Sequence, residues 1–234
     1  YCYDGAVPIG YNRVYLTPRN TAQQHCLRSH LEIDPAPAVF GHRGHDYYGN
    51  EIISFTVQQQ HRVLEVTARS EVWLAPHTPP PAEKTPTWEA VVNSLQCPAN
   101  PTDRAACRFR YPSESIAVSR ALRAFAEASF PTGAPVLVGA RDLMQRIYSE
   151  FAYDPEATTV TTPVEETLHK KRGVCQDFAH LQIGCLRALG LAARYVSGYV
   201  AGPKPHTPGC PSMSPPSVGS ISIPPTTCCP RWST

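Results

Sequence analysis

The hydrophobic period of this chain changes once, from two residues to about 3.6, and this change predicts an α+β fold. In residues 1–75 apolar and polar side chains alternate, as they do in half-buried strands. The alternation is clearest in residues 26–34, 53–57 and 64–68, and Gly49-Asn50 predicts a turn before the second of these. In the first, one face of the strand is predicted to consist of Leu27, Ser29, Leu31 and Ile33. We therefore expect an antiparallel β-sandwich domain in residues 1–75.

Prolines interrupt this pattern in residues 76–112. Among them are the prolines at positions 76, 79, 80, 81, 86, 98 and 101. Because proline lacks a backbone N–H and restricts the residue before it, this composition predicts an extended linker. Helical spacing follows in residues 117–130 and 141–151. The apolar positions are Leu122, Phe125 and Ala126 in the first helical segment, and Leu143, Met144, Ile147, Tyr148 and Phe151 in the second.

The most informative segment begins at Cys175. A stripe with helical period follows it, and Gly190 predicts the C-cap of that helix, with a strand next in residues 194–200. Cys175 is therefore expected at the N-terminus of a buried amphipathic helix. The unpaired N–H groups and the positive end of the helix dipole there would stabilise a thiolate, and they could also hold an oxyanion. The stripe consists of Phe178, Leu181, Cys185, Leu186 and Leu189.

The stretch GVCQDFAHL…LRALGLAARYVSGY resembles the nucleophile helix of bacterial transglutaminase-like proteins, in the papain-like cysteine peptidase and acyltransferase superfamily. Upstream, FAYDPEATTV-TTPVEETLHKKR resembles the segment that leads into that helix. The start of the chain, from YDGAVPIGYNRVYLTPR to HRVLEVTARSEVWL, resembles the N-terminal β domain of the same proteins. The resemblance covers most of residues 1–200. It implies a papain-like transglutaminase core, here partial, in residues 113–202.

The resemblance further implies a Cys-His-Asp triad in that chain order, with Cys175 at the position of the nucleophile. A histidine would take the thiol proton and return it to the leaving group, and an aspartate would orient the imidazole. Attack on the amide of a protein or peptide substrate would give a thioester, which water or an amine would resolve. This chemistry requires no metal and no organic cofactor. Peptide cleavage, crosslinking and hydrolysis of a smaller amide all remain open.

The printed sequence departs from the family pattern after the nucleophile. No Asp, Glu or Asn follows Asp177, and the histidines that follow Cys175 are His180 and His206. His180 is five residues further along the same helix, about 500° of rotation away, and is expected to point elsewhere. Asp177, in the first turn, is more simply a partner of the helix dipole than a catalytic residue. Residues 203–234 contain nine prolines, two basic residues and no acidic residue, so we expect them to be disordered.

A shift of reading frame accounts for this departure. The family pattern calls for H-A-W on a strand, then a G-W turn, then D-P-T-N. When the last base of each codon is joined to the first two of the next, the codons from His206 onward permit HAWVSVYVP, VGW and DFDPTN in that order. We therefore predict that residues from about Pro203 onward are a frameshifted translation, after loss of one base between Tyr199 and His206. The chain as printed would then be close to inactive, whether through a sequencing error or as a pseudogene product.

Composition excludes several other classes. The formal net charge is +2, which lacks the basic excess of a nucleic-acid-binding protein, and no apolar run reaches the roughly 18 residues of a membrane span. The nine cysteines are odd in number and show no disulfide spacing, so we expect free thiols and a cytoplasmic location. Cys185 is expected to be a core residue. The alternative to a thiol enzyme is a module that binds a partner without catalysis, and oligomeric state stays open.

Overall fold

Alternating residues in the N-terminal part of the chain form antiparallel strands. The structure is a computed structural model that describes residues 1–76, 78–159, 161–198 and 220–222. The chain divides into two units, Tyr1–Thr78 and Pro79–Thr234. The first unit contains β1 (Cys2–Val7), β2 (Gly10–Val14), β3 (Gln24–Asp34), β4 (Val39–His45), β5 (Glu51–Val57), β6 (His61–Val63) and β7 (Glu65–Leu74).

The strands of the first unit pair as β1 with β6, β3 with β7, and β2-β5-β4 in a three-stranded sheet. Phe55, Val57 and Leu64 form the buried centre of this unit. Tyr3, Val14, Ile33 and Val66, which come from strands of all three sheets, pack against that centre. The turn predicted at Gly49-Asn50 lies between β4 and β5, and Gly49 has a φ of 80°, a conformation that glycine adopts without steric cost.

The face predicted for β3 is correct only in its second half. Leu31 and Ile33 are half-buried, whereas Leu27 is 59% exposed. The pairing of β3 with β7 is irregular between Cys26 and Arg28, so Leu27 has no partner in the register. An extra residue of this kind is a β-bulge, and it moves every residue on one side of it to the opposite face.

The second unit is mainly helical. Its helices are α1 (Trp88–Gln96), α2 (Pro101–Cys107), α3 (Arg120–Glu127), α4 (Val136–Glu150), α5 (Val164–Lys170) and α6 (Cys175–Ala188). Its strands are β8 (Ala152–Tyr153), β9 (Arg172–Gly173), β10 (Arg194–Val196) and β11 (Ser220–Ser222). The mixed α+β class expected from the sequence is confirmed. None of the helices in the described ranges is long and apolar enough to cross a membrane.

The prediction of an extended linker in residues 76–112 is wrong where α1 and α2 form. Val91, Leu95 and Ala106 are buried in the main core of the second unit. The prolines lie outside these helices or at a position that tolerates them. Pro101 is the first residue of α2, where a backbone N–H would have no acceptor within the helix, so its absence costs nothing there. The side chain of Asn100 caps α2 by accepting a hydrogen bond from the Asp103 N–H at 2.8 Å.

Helix α6 is the most buried element of this core. Leu181, Ile183, Cys185 and Leu186 are fully buried, and α6 packs against α3, α4 and α5. Gly190 follows the helix with a φ of 87°, in agreement with the predicted C-cap. In α4 the predicted apolar positions Leu143 and Ile147 are buried, but Tyr148 is 63% exposed. Tyr148 lies one residue after Ile147, about 100° further round the helix, and so falls outside the buried face.

Most of the tail predicted to be disordered, residues 203–234, lies outside the described residues. At residues 220–222 that prediction is contradicted, because β11 pairs antiparallel with β10, Val196 opposite Ser220 and Arg194 opposite Ser222. A strand edge with unpaired backbone groups accepts a short segment of this kind with little regard to its side chains.

Gly139 in α4 is expected to be required by packing. A Cβ at this position would lie 2.5 Å from the ring of Phe130, which is itself buried. Gly139→Ala should therefore lower the free energy of unfolding by about 1–3 kcal/mol, although alanine is the better helix former. Urea unfolding followed by circular dichroism measures this. Gln145→Ala, at an exposed site of the same helix, is the control and should leave stability unchanged or slightly higher. An undiminished loss in a Phe130→Ala background would contradict the steric explanation.

Candidate active site

The chain enters helix α6 through a short parallel pair of strands. β8 and β9 are joined by Ala152 opposite Arg172 and Tyr153 opposite Gly173. The N–H of Asp154 donates to the carbonyl of Gly173 at 2.9 Å. Lys171, which ends α5, has a left-handed backbone conformation with a φ of 51°. These contacts fix the residues immediately before Cys175 to the end of α4 and thereby fix where α6 begins.

The carboxylate of Asp177 caps the start of α6. Its Oδ2 accepts hydrogen bonds from the Val174 N–H at 2.8 Å and from the Thr158 hydroxyl at 2.6 Å. Asp177 is buried, and it lies so close to the backbone that a Cβ on Gly173 would be 2.7 Å from Oδ2. Glycine is therefore required at 173 for space. The negative charge also lies in the first helical turn, where the dipole stabilises it. These contacts give Asp177 a structural role.

Cys175 is the first residue of α6, and its side chain is exposed. The first N–H groups of a helix have no intrahelical acceptor, so the thiol lies beside backbone donors and the positive end of the dipole. Cys185 has the opposite environment. It is fully buried on the same helix, and burial raises the pKa of its thiol to about 12, which leaves it protonated and unreactive at neutral pH.

Tyr195 on β10 is a neighbour of Cys175 that sequence reasoning missed. Burial raises the pKa of the Tyr195 phenol, the charge of the Cys175 thiolate raises it further, and a hydrogen bond with Ser197 opposes both effects. The hydroxyl is therefore protonated at neutral pH and can act as a hydrogen-bond donor. The sequence pattern predicted a strand in residues 194–200, but it did not indicate that this strand returns past the start of α6.

His180 contacts Tyr195 through its ring. The two ring centroids are 5.6 Å apart and the planes are nearly perpendicular. Burial lowers the pKa of His180, and the charge of Arg187 lowers it further, while that of Asp177 acts in the opposite direction. The imidazole is thus neutral at pH 7. In the described ranges no hydrogen bond links it to Cys175, and His206 lies outside the described residues.

The basic run Lys170-Lys171-Arg172 before the nucleophile helix is exposed and paired with nearby carboxylates. Lys170 bonds Glu166 at 2.6 Å, Lys171 bonds Glu150 at 2.9 Å, and Arg172 lies 3.6 Å from Asp154. The hydrogen bond from Lys171 lowers the pKa of Glu150. Exposed pairs of this kind contribute little to stability, about 0–1 kcal/mol each, and each carboxylate partly offsets the positive charge of the residue that it pairs with.

Acid should destabilise the chain in part through His180. Because its pKa in the folded state lies below the 6.5 of an unperturbed histidine, its contribution to stability is fully present above about pH 6.5 and is lost as the pH falls towards the folded pKa. His180→Phe keeps a ring against Tyr195 but cannot titrate. The loss of unfolding free energy between pH 7.5 and pH 5, measured by urea titration, should be larger in wild type than in this variant. Equal losses would show that His180 does not titrate as described.

Comparison with known proteins agrees with this architecture. Residues 1–73 match the family model described as the bacterial transglutaminase-like N-terminal region, and residues 123–222 match the model described as the transglutaminase-like superfamily. Similar proteins include an uncharacterized protein of Mycobacterium tuberculosis, 42% identical over 206 residues, which are 86% of this chain and 63% of that protein. One of Mycobacterium leprae is 31% identical over 205 residues, 86% of this chain and 68% of the relative.

The chain thus spans about 63% of the length of the Mycobacterium tuberculosis relative that it matches. Among solved structures, a candidate cysteine protease from Cytophaga hutchinsonii has a similar fold, with a TM-score of 0.66. The two chains are 18% identical, and the similarity covers 94% of this chain and 70% of the other. At this level of identity the similarity concerns the fold alone.

Proposed function

Because this chain belongs to the transglutaminase-like superfamily, we propose that its second unit carries the thiol nucleophile of a cysteine peptidase, amidohydrolase or acyltransferase, and that Cys175 is this nucleophile. The observation that carries the proposal is the position of Cys175, exposed as the first residue of a helix that is mostly buried. A substrate can reach the thiol there, and the buried helix holds it rigidly. The substrate would be an amide of a protein or peptide.

The reaction expected at this position balances without a cofactor. The Cys175 thiolate attacks the amide carbonyl carbon, and the C–N bond breaks as the amine leaves with a proton. The resulting thioester is then cleaved by water, which releases an acid, or by a second amine, which gives a new amide. Backbone N–H groups in the first turn of α6 would hold the oxyanion of each tetrahedral intermediate. The Tyr195 phenol interacts electrostatically with the Cys175 thiolate.

In the printed sequence, this nucleophile lacks the histidine and aspartate that the family supplies. We therefore propose that the chain as printed is close to inactive, since a triad that loses one member retains only a small part of its rate. The neutral His180 is a poor substitute because its ring contacts Tyr195 and makes no hydrogen bond with Cys175 in the described ranges. The frameshifted reading of residues from about Pro203 onward offers the missing H-A-W and D-P-T-N in the correct order.

Binding without catalysis is the second candidate function. The first unit favours it, because several aromatic side chains there are exposed, among them Tyr11 at 83%, Tyr47 at 72% and Phe40 at 61%. Exposed aromatic residues are enriched at protein–protein interfaces. A chain without a working triad could retain this surface as its remaining function.

Alkylation of Cys175 tests the nucleophile directly. Cys97 is a matched control, because it is also exposed but caps the C-terminal end of α1, where the dipole is unfavourable to a thiolate. With iodoacetamide at pH 6, Cys175 should react roughly 2- to 30-fold faster than Cys97, the factor that a dipole contribution of about 0.5–2 kcal/mol gives. Peptide mapping by mass spectrometry measures both rates in one sample. Equal rates, or faster reaction of Cys97, would remove the support for a thiol enzyme.

Restoration of the reading frame tests the proposed loss of activity. Insertion of one base in the gene, between the codons of Tyr199 and His206, should yield a chain that forms a thioester with an activated amide or ester substrate and turns it over. The printed chain should show at most a trace of this turnover. The reframed chain with Cys175→Ser is the control. A reframed chain that folds, as judged by a cooperative thermal transition, but forms no acyl-enzyme detectable by mass spectrometry would contradict the proposal.

A further inference from the structure

A cleft lies in the second unit, next to the last turn of α6. It has a volume of about 440 Å³ and is lined by residues of α1, by Arg110, by Arg123 of α3 and by residues 187–190. This volume is within the range of about 300–1,000 Å³ that is typical of small-ligand sites. Helix α6 has 14 residues, so its two ends are about 20 Å apart. The cleft is therefore separate from Cys175, and ligand binding there would not depend on the proposed thiol chemistry.

The cleft has a positively charged side whose guanidinium groups are already held in place. Arg110 donates to the carbonyls of Leu95 at 2.7 Å and Gly190 at 3.2 Å. Arg123 donates to the carbonyl of Ala188 at 3.3 Å. Since the fold has ordered these side chains, ligand binding would not carry the entropic cost of fixing them, and affinity gains by that amount.

Arg110 is the least compensated of these charges. Its bonds go to neutral carbonyls, and among the described residues it has no carboxylate partner. Those two bonds engage two of the five N–H donors of a guanidinium, which leaves donors in a geometry suited to a carboxylate. Arg123, by comparison, is paired with Glu127 at 2.8 Å on the surface. A carboxylate in the cleft would find its strongest partner at Arg110.

The opposite charge is supplied by Glu89 of α1. Its Oε1 accepts a hydrogen bond from the Gly133 N–H at 2.9 Å. The Glu89 side chain is half-buried and lines the cleft, so its carboxylate supplies a negative charge with which an ammonium group can pair. A simple anion would instead be repelled by Glu89.

We propose that this cleft binds a small zwitterion, a free amino acid or a short peptide, with its carboxylate at Arg110 and Arg123 and its ammonium group at the carboxylate of Glu89. Trp88, Val92 and Leu189 line the same cleft and suit an aliphatic side chain, and the polar side chains of Asn93 and Gln96 lie beside them. The two charged sides discriminate between ligand classes, because a phosphate or a simple carboxylate satisfies only the arginines and an amine satisfies only Glu89.

Isothermal titration of the 234-residue chain with leucine and with the dipeptide Leu-Leu tests this site. At least one of the two should bind with a Kd of about 1 mM or tighter. N-acetylation or C-amidation of that ligand should each weaken binding at least tenfold, because each removes one of the two charges. Inorganic phosphate and 4-methylpentanoate, which lacks the amine, should bind more weakly by a similar factor.

Variants assign the binding to the named residues. Glu89→Gln keeps the acceptor for Gly133, and Arg123→Gln changes an exposed side chain, so both should still fold with a cooperative thermal transition and bind at least fivefold more weakly. Arg104→Gln, an exposed arginine of α2, is the control and should bind as wild type does. The proposal is overturned if neither zwitterion binds at 10 mM (about 2.7 kcal/mol at 1 M standard state), if phosphate or the acetylated ligand binds equally well, or if the control weakens binding as much as Glu89→Gln.

Discussion

The carboxylate of Asp177 is the contact on which the geometry of the start of α6, and so the position of Cys175, depends. It links three segments at once: it lies against the backbone of Gly173, accepts from the N–H of Val174 and holds the hydroxyl of Thr158. An N-cap normally comes from a polar residue before the helix, but valine occupies that position here and has no oxygen to offer. Asp177 satisfies the free N–H from inside the helix instead, as the second half of a capping box does.

Helix α6 presents opposite electrostatic conditions at its two ends, and the side chains at each end match them. An exposed thiol lies at the positive N-terminus, where a thiolate is stabilised. At the negative C-terminal end, Arg123 donates to the carbonyl of Ala188, the last residue of the helix, and Arg110 donates to the carbonyl of Gly190 just beyond it. The buried middle of the helix has no such requirement and packs by shape, which is why it contains the inert Cys185.

Membership of the transglutaminase-like superfamily and the mixed α+β class were predictable from the sequence, because they depend on local patterns. The start of α6 at Cys175, its end before Gly190 and the strands of the first unit all follow from period and capping. Some predictions are wrong for physical reasons, and two of them show why. The prolines of residues 76–112 favour a linker, but Pro101 occupies the one helical position that tolerates proline. At Leu27 a bulge changes the face of β3, and no residue type there marks a bulge.

The sequence by itself determined that Cys175, the proposed nucleophile, begins a helix, since helix periodicity and caps act over a few residues. It also determined that the histidine and aspartate of the family have no match after Cys175 in the printed reading frame. Only the tertiary structure decided that Tyr195 lies beside Cys175 and contacts His180. It alone brought Glu89 together with Arg110 and Arg123 in one cleft. These groups meet because buried helices pack against one another, and packing depends on the shape of the whole core rather than on local spacing.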